Sequence, residues 1–380
     1  MNPAAQLAPY WHLARARIYR AGLSARIPSV QLPFNATPVV ATYLHTGFFF
    51  GMLSREIPCD GLLNTYIQLS APRRRTDRVN ILPLRFLPTI PPVELGLLEQ
   101  REWPRDELAR LTKSGLAAAM AGGLAAGMYL YANLNYFYLP ETDFYRRRHF
   151  RQSALVIGFD SAAGEFRVAC YLRKGNFGVT RVAAALLADA FHSPLGRIHC
   201  AEASKTDRLC GMKPSPTAFS APLDLDAIKW QLRDYVQGTN AAPWKMGNQL
   251  IRRWSDRFDS STAADTYYGV DIYEGLAELM QASDFHALKK VDFRITRLLW
   301  EHKKLMTIRL RRLLALGIGA DPALTERWQE VEHMAWTLHF TGYRAVVKGD
   351  KVDPAAVART LREMAARERD LLGALAEAIP

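Results

Sequence analysis

Cysteine is scarce in this chain, with four in 380 residues. Cys59, Cys170, Cys200 and Cys210 lack the dense, even spacing of a disulfide framework. His192 and His199 lie near the last two, but the spacing fits no common zinc pattern, so no metal is expected. The first 22 residues lack an apolar core of signal-peptide length ahead of a small-residue cleavage site. A reducing cytoplasm is therefore the expected location. The chain also lacks a nucleophile elbow, a P-loop and a dinucleotide fingerprint, which argues against the hydrolases, kinases and oxidoreductases built on them. No helix-turn-helix, zinc-finger or RNA-binding signature is present, so nucleic acid is not an expected partner. Long apolar runs are few. The most extended uncharged one, GLAAAMAGGLAAGMYLY at 115–131, is mostly Ala and Gly. Such residues insert weakly into lipid and favour close helix packing, so no membrane span is expected.

What the chain does have is apolar material and positive charge. Hydrophobic residues make up 49% of it, enough for a sizeable core. Lys and Arg number 49 against 37 Asp and Glu, a formal charge of +12. Much of the excess sits in short clusters: Arg73, Arg74 and Arg75; Arg146, Arg147 and Arg148; Arg252 and Arg253; Arg309, Arg311 and Arg312. The plain reading is a solvated basic surface. The functional reading is an electropositive face for an acidic partner: a carrier protein with a phosphopantetheine arm, a nucleotide or, with least support, a nucleic acid.

Periodicity predicts a helix over 1–22 and a short extended piece at 30–34. Thr37 and Pro38 then read as N-cap and first position of a helix over 39–53. Prolines at 83 and 88 demote 81–87 to an edge or irregular strand. A helix over 105–126 precedes a tyrosine-rich strand over 128–138. Strands at 154–158 and 166–172 form a hairpin whose turn, Asp160-Ser161-Ala162-Ala163-Gly164, has suitable chemistry. From Thr180 the pattern is mostly helical, over 180–190, 224–237, 272–281, 292–314, 322–340 and 354–378. Gly238 closes the second of these and Asp353-Pro354 opens the last. The expected architecture is α+β: a front region over 1–215 with a small antiparallel sheet, and a largely helical region over 216–380, possible as one continuous domain.

The stretch at 138–160, YLPETDFYRRRHFRQSALVIGFD, reads as a basic turn, an apolar strand and a tight turn. Together with LLNTYIQL (62–69), NLNYFYLP (133–140), the 212–238 segment, YGVDIYEGL (268–276) and LLWEHKKLMTIRLRRL (298–313), it resembles a family of natural-product biosynthesis proteins related to butirosin biosynthesis protein H. The resemblance implies a papain-like α+β core. It implies transfer of an acyl group from a carrier thioester to an amine through a cysteine, a histidine base and an orienting acid. It places the histidine six residues before Gly158, where this chain has Gln152. It places the nucleophile at the helix start Asn35-Ala36-Thr37, and the acid near Ala169 or Cys170. A glutamine cannot take a thiol proton at neutral pH, so the triad is not retained.

The candidate catalytic residues are therefore His149, three residues upstream of Gln152, with Gln152 itself, Asn35, Ala36 and Cys170. Buried structural thiols are the plain reading of Cys170 and Cys59, a satisfied core histidine that of His45, and helical pairing that of Glu301 and His302. Arg73, Arg74, Arg146 and Arg147 are candidates for the phosphopantetheine arm of an acidic acyl or peptidyl carrier, and no other cofactor is expected. The function these readings imply is an acyltransferase or amide-forming enzyme of secondary metabolism. The alternative is a degenerate relative that binds a carrier or partner enzyme as a scaffold.

Overall fold

The computed structural model describes residues 28–73, 84–87, 96–193, 208–241, 244–246, 249–251, 265–281, 293–318, 321–348 and 351–380. The helix expected over 1–22, Arg74 and Arg75, Arg252 and Arg253, and His199 with Cys200 lie outside the described residues. In chain order the strands are β1 (Val30–Gln31), β2 (Gln68–Pro72), β3 (Arg85–Leu87), β4 (Leu98–Pro104), β5 (Tyr129–Asn135), β6 (Arg151–Asp160), β7 (Glu165–Tyr171), β8 (Phe177–Ala183), β9 (Arg208–Pro214), β10 (Trp244–Met246), β11 (Gln249–Ile251) and β12 (Thr266–Tyr268). The helices are α1 (Leu44–Leu53), α2 (Asp60–Leu63), α3 (Arg105–Ala109), α4 (Lys113–Ala125), α5 (Ala184–His192), α6 (Leu225–Gln237), α7 (Ile272–Gln281), α8 (Phe293–Ala315), α9 (Pro322–Lys348) and α10 (Pro354–Ala378). The chain is mixed α/β, with an antiparallel sheet and C-terminal helices. Among the described residues no helix is long and apolar enough to cross a membrane. Two compact units divide the chain. One takes its described residues from Met1–Thr37 and Glu99–Lys213, the other from Pro38–Leu98 and Pro214–Pro380.

The first unit is built on a sheet in the order β4-β9-β5-β6-β7-β8, with β1 pairing to β6 beyond the end of β5. Alternation along the strands decides what faces what. Leu130, Ala132 and Leu134 of β5, Ala154 and Val156 of β6, and Phe166, Val168 and Cys170 of β7 form one buried cluster. Leu116, Met120, Ala121 and Leu124 of α4 join it, as do Leu187, Ala188, Ala190 and Phe191 of α5. The expected β6–β7 hairpin is present. Asp160 Oδ1 accepts from the N–H groups of Ala162 and Ala163 at 3.0 and 3.2 Å, and Gly164 supplies the left-handed residue with φ 65°.

Several boundaries differ from the sequence reading. The helix expected from 39 begins at Leu44. Asn35 Oδ1 accepts the Thr37 N–H at 2.9 Å, an Asx turn in place of a helix cap. The Thr42 N–H donates to the buried Glu301 carboxylate at 2.9 Å, a long-range bond that holds the backbone out of the helix until Tyr43 accepts the first turn. The helix over 105–126 breaks at Arg110, and Thr112 caps α4 by accepting from Gly115 N at 3.1 Å. The helix expected over 180–190 is strand as far as Ala183. Val179, Thr180 and Val182 favour the pleated backbone, and Thr180 and Val182 are buried while Arg181 faces solvent. The strand over 128–138 ends at Asn135 in a 3-10 turn.

In the second unit β12, β2 and β3 form a small antiparallel sheet, with β3 at its edge as the prolines require. Asp224 caps α6 by accepting from Ala227 N at 3.0 Å, and Gly238 ends it with φ 67°. Asp353 caps α10 in the same way through Ala355 N. At the centre lies Lys303 of α8, 0% exposed beside Glu368 of α10, also 0% exposed. The ammonium reaches Glu368 at 2.8 Å, His302 Nδ1 at 2.9 Å and Tyr235 OH at 3.2 Å, which uses its three donors. Glu368 also accepts from Tyr235 at 2.7 Å and Tyr273 at 2.5 Å. The rings of Tyr235, Tyr273 and Trp328 face the same ammonium. His302 donates from Nε2 to the Ile67 carbonyl at 2.7 Å, so it is neutral with its tautomer fixed. Burial, followed by the Lys303 charge, holds its pKa well below the usual value. About two turns on from His302, Arg309 donates to the carbonyls of Leu63 and Thr65 at 2.7 and 2.6 Å, where α2 ends. Burial brings its pKa down to about 9.

Breaking the central pair strands a buried charge. Glu368→Ala should destabilise the second unit by about 3–5 kcal/mol, since Lys303 and Glu368 are both fully buried. Lys303→Met with Glu368→Leu should recover most of that loss. Urea denaturation followed by tryptophan fluorescence checks both.

Candidate functional site

Chemistry-bearing side chains in the first unit gather around Asn135, the last residue of β5. Its Oδ1 accepts from the backbone N–H groups of Phe137 and Phe150, each at 3.2 Å. Those two donors fix the orientation of the amide, so Nδ2 must be the atom facing Ser193 Oγ at 2.7 Å and His149 Nδ1 at 3.0 Å. His149 therefore accepts at Nδ1, and its neutral ring carries the proton on Nε2. Phe137 stacks on the imidazole with centroids 4.2 Å apart and adds a second restraint. The ring is solvent-exposed. It is arranged as a hydrogen-bond donor at Nε2, with the lone pair a general base would use already engaged.

A polar row lies on the sheet face opposite α4 and α5. Ser153 of β6 donates to Asn133 Oδ1 at 3.0 Å, and with that proton so directed it accepts from Tyr131 OH at 2.7 Å. Burial keeps the Tyr131 phenol above its usual pKa and hence neutral. Cys210 of β9 pairs across from Tyr131, with Glu102 at 4.0 Å from its sulfur. Burial, then the Glu102 charge, pushes this thiol up to about 11. The two other described thiols are no more reactive. Burial raises Cys170 to about 12, helped by the Glu141 charge, and burial raises Cys59 in the second unit. No described thiol is therefore a thiolate at neutral pH, and none sits beside a histidine base.

The five candidate catalytic residues are distributed over this unit. Gln152 pairs with Leu134, so its side chain shares the face packed on α4 and α5. Cys170 is buried in that same cluster. Asn35 and Ala36 follow β1 in a segment whose Phe34 rests on Tyr129 and Phe177 at 6.5 and 6.4 Å. They do not stand at a helix N-terminus, so no helix dipole acts there. His149 alone of the five joins the Asn135 cluster. Arg146 and Arg147 lie exposed in the loop before it. Arg73, in the second unit, donates to Thr266 O at 3.3 Å and lies 4.6 Å from the Tyr267 ring centroid. His45 is exposed on α1 and stacks on Tyr43, and is not the core histidine expected from its apolar neighbours. Glu301 pairs with Arg297 at 2.9 Å as helical spacing suggests.

Sequence reading missed Asn135, Ser193, Tyr131 and Ser153. Two asparagines two residues apart in an otherwise apolar strand were the available signal, since asparagine is depleted in strands. Comparison with models of protein families and with curated proteins finds no match for this chain.

Thiol alkylation mapped by peptide mass should leave Cys170 and Cys59 unmodified in the native protein at neutral pH. Cys210 should react slowly, with a rate that climbs with pH toward about 11 and shows no plateau near neutrality. A fast-reacting Cys210 at pH 7 would contradict the assignment.

Proposed function

We propose that this protein handles an acyl or aminoacyl thioester borne on an acidic acyl or peptidyl carrier, and promotes its condensation with an amine without an acyl-enzyme intermediate. A papain-like origin for the sheet-bearing unit is part of the proposal, supported only at the level of an antiparallel sheet within a mixed α/β chain. The observation that carries the reading is the bond from Asn135 to His149. It presents Nε2–H as a donor and leaves the ring unable to activate a thiol, and the described thiols are themselves protonated.

A thioester is already activated, so such a site needs to hold and polarise it. The amine nitrogen attacks the carbonyl carbon, the C–N bond forms and the C–S bond breaks. The carrier thiolate leaves with its electron pair, and the amine proton passes to solvent. A donor at the carbonyl oxygen stabilises the charge that develops there, and orientation alone contributes about 7–11 kcal/mol in favourable cases. His149 Nε2–H is the donor we assign. The protonated state of the thiols favours a second reading, a scaffold that binds the carrier and leaves the thioester intact.

Intact mass spectrometry of an acylated carrier incubated with this protein and candidate amines tests the two. Condensation predicts loss of the acyl group with a new amide, slowed roughly 100-fold by His149→Ala, as for loss of one oxyanion donor. Recovery by His149→Gln would support donation over base catalysis. An unchanged acyl carrier that co-elutes with the protein would establish the scaffold reading. A carrier neither deacylated nor retained would overturn both.

A further inference from the structure

Among the cationic side chains of the first unit, which also include Arg101, Arg105, Arg110, Arg151 and Arg167, two groups stand apart. One group is paired: Arg181 with Glu165, Arg208 with Glu102, Lys213 with Glu99 and Lys113 with Asp189. The other group is Arg146, Arg147, Arg148, Arg173 and Lys174. All five are exposed, and among the described residues none has a carboxylate within salt-bridge distance. They occupy two loops, 141–149 and 173–175, that are bonded to each other. Arg173 N–H donates to Glu141 O at 2.8 Å, and Lys174 N–H donates to Asp143 Oδ2 at 2.9 Å. The nearby acids are Glu141 and Asp143, and the latter is engaged by that backbone N–H.

The backbone of these loops is unusual in a way that bears on their use. Four non-glycine residues among those described have positive φ, and three of them lie here: Glu141 at 62°, Arg146 at 53° and Lys174 at 61°. Each such conformation is unfavourable for an L-residue with a long side chain, and glycine would relieve it. The chain instead places cations at two of the three, held by backbone bonds such as Arg146 N–H to Phe137 O at 3.0 Å. Strain of this sort concentrates at ligand clamps. The Nε2–H of His149 adds a neutral donor at the end of the loop. Phe150 beside it is 36% exposed and stacks on Phe144 at 4.3 Å.

We infer that the paired loops 141–149 and 173–175 form a binding site for a small phosphate ester or diphosphate, held by Arg146, Arg147, Arg148, Arg173 and Lys174. Guanidinium groups match phosphate oxygens in geometry as well as charge. The cations are confined to two short loops and do not run along an element, which suits a compact phosphoanion better than a polynucleotide backbone. The inference does not depend on the thioester reading, and its test contains no acyl group.

Calorimetric titration of the full chain with pyrophosphate, with ADP and with a short oligouridylate provides the test. Pyrophosphate and ADP should bind and compete with one another. The triple change Arg146→Ala, Arg147→Ala and Arg148→Ala should weaken both by about tenfold or more, with the melting temperature unchanged. Lys174→Gly suits the left-handed backbone while removing only a cation, and it should weaken binding without loss of stability, which keeps the test valid if the triple variant misfolds. Failure of both phosphate probes to bind, or full binding by folded variants, would overturn the inference. Tighter oligouridylate binding that strengthens with length would overturn it too, assigning the loops to single-stranded nucleic acid.

Discussion

The second unit is organised around one buried charge. Lys303 is wholly removed from water, and burial lowers its pKa even with Glu368 alongside. An ammonium in that setting is tolerable only with every donor matched. Those partners come from α6, α8 and α10, with Tyr273 of α7 completing the shell around Glu368, so four helices are placed by one requirement. Trp328 of α9 joins through its indole N–H, which donates to the Lys303 carbonyl at 3.1 Å. Apolar burial supplies the driving force for collapse, while the polar cluster selects which packing survives.

From that centre α8 also grips the short α2 and the start of β2. His302, Arg309 and Arg312 face Ile67, the carbonyls of Leu63 and Thr65, and the Asp60 carboxylate. Each is charged or polar on a helix whose sequence reads as amphipathic. Their role is structural: His302 and Arg309 supply donors to the Ile67, Leu63 and Thr65 carbonyls in a buried setting.

The first unit depends on a smaller device. Asn135 closes β5, caps the following 3-10 turn, accepts from the return of the chain at Phe150 and orients His149. One carboxamide thus links the end of a strand to the chemistry of the loop beyond it. The thioester proposal and the phosphoanion inference use adjacent parts of this loop but make separate demands on it. The first needs the tautomer of His149, and the second needs unpaired cations.

Several signals carried by a single segment were legible. The Asp160 to Gly164 turn, the Gly238 end of helix 224–237, helix 272–281 and the Asp353-Pro354 helix start all follow from short-range backbone chemistry, and the structure agrees with each. Segments whose backbone partners are distant were misread. Helix α1 starts late because Thr42 bonds to Glu301, and 177–183 is a strand because β7 lies beside it. The candidate site shows the same division. His149 could be picked out as a polar group in a basic turn, but its tautomer rests on Asn135, whose amide is oriented by the Phe137 and Phe150 N–H groups and meets the ring only once β5 and β6 are paired. Sequence alone determined the helix end at Gly238, the helix start at Asp353-Pro354, the hairpin, the charge excess and the absence of an activated cysteine motif, because these depend on neighbours along the chain. Only tertiary structure decided that Pro38–Leu98 groups with the C-terminal helices, that Gln152 faces the apolar helices and that Arg146, Arg147, Arg148, Arg173 and Lys174 share two bonded loops with no carboxylate at salt-bridge distance among the described residues, because those outcomes depend on which distant groups come within bonding distance.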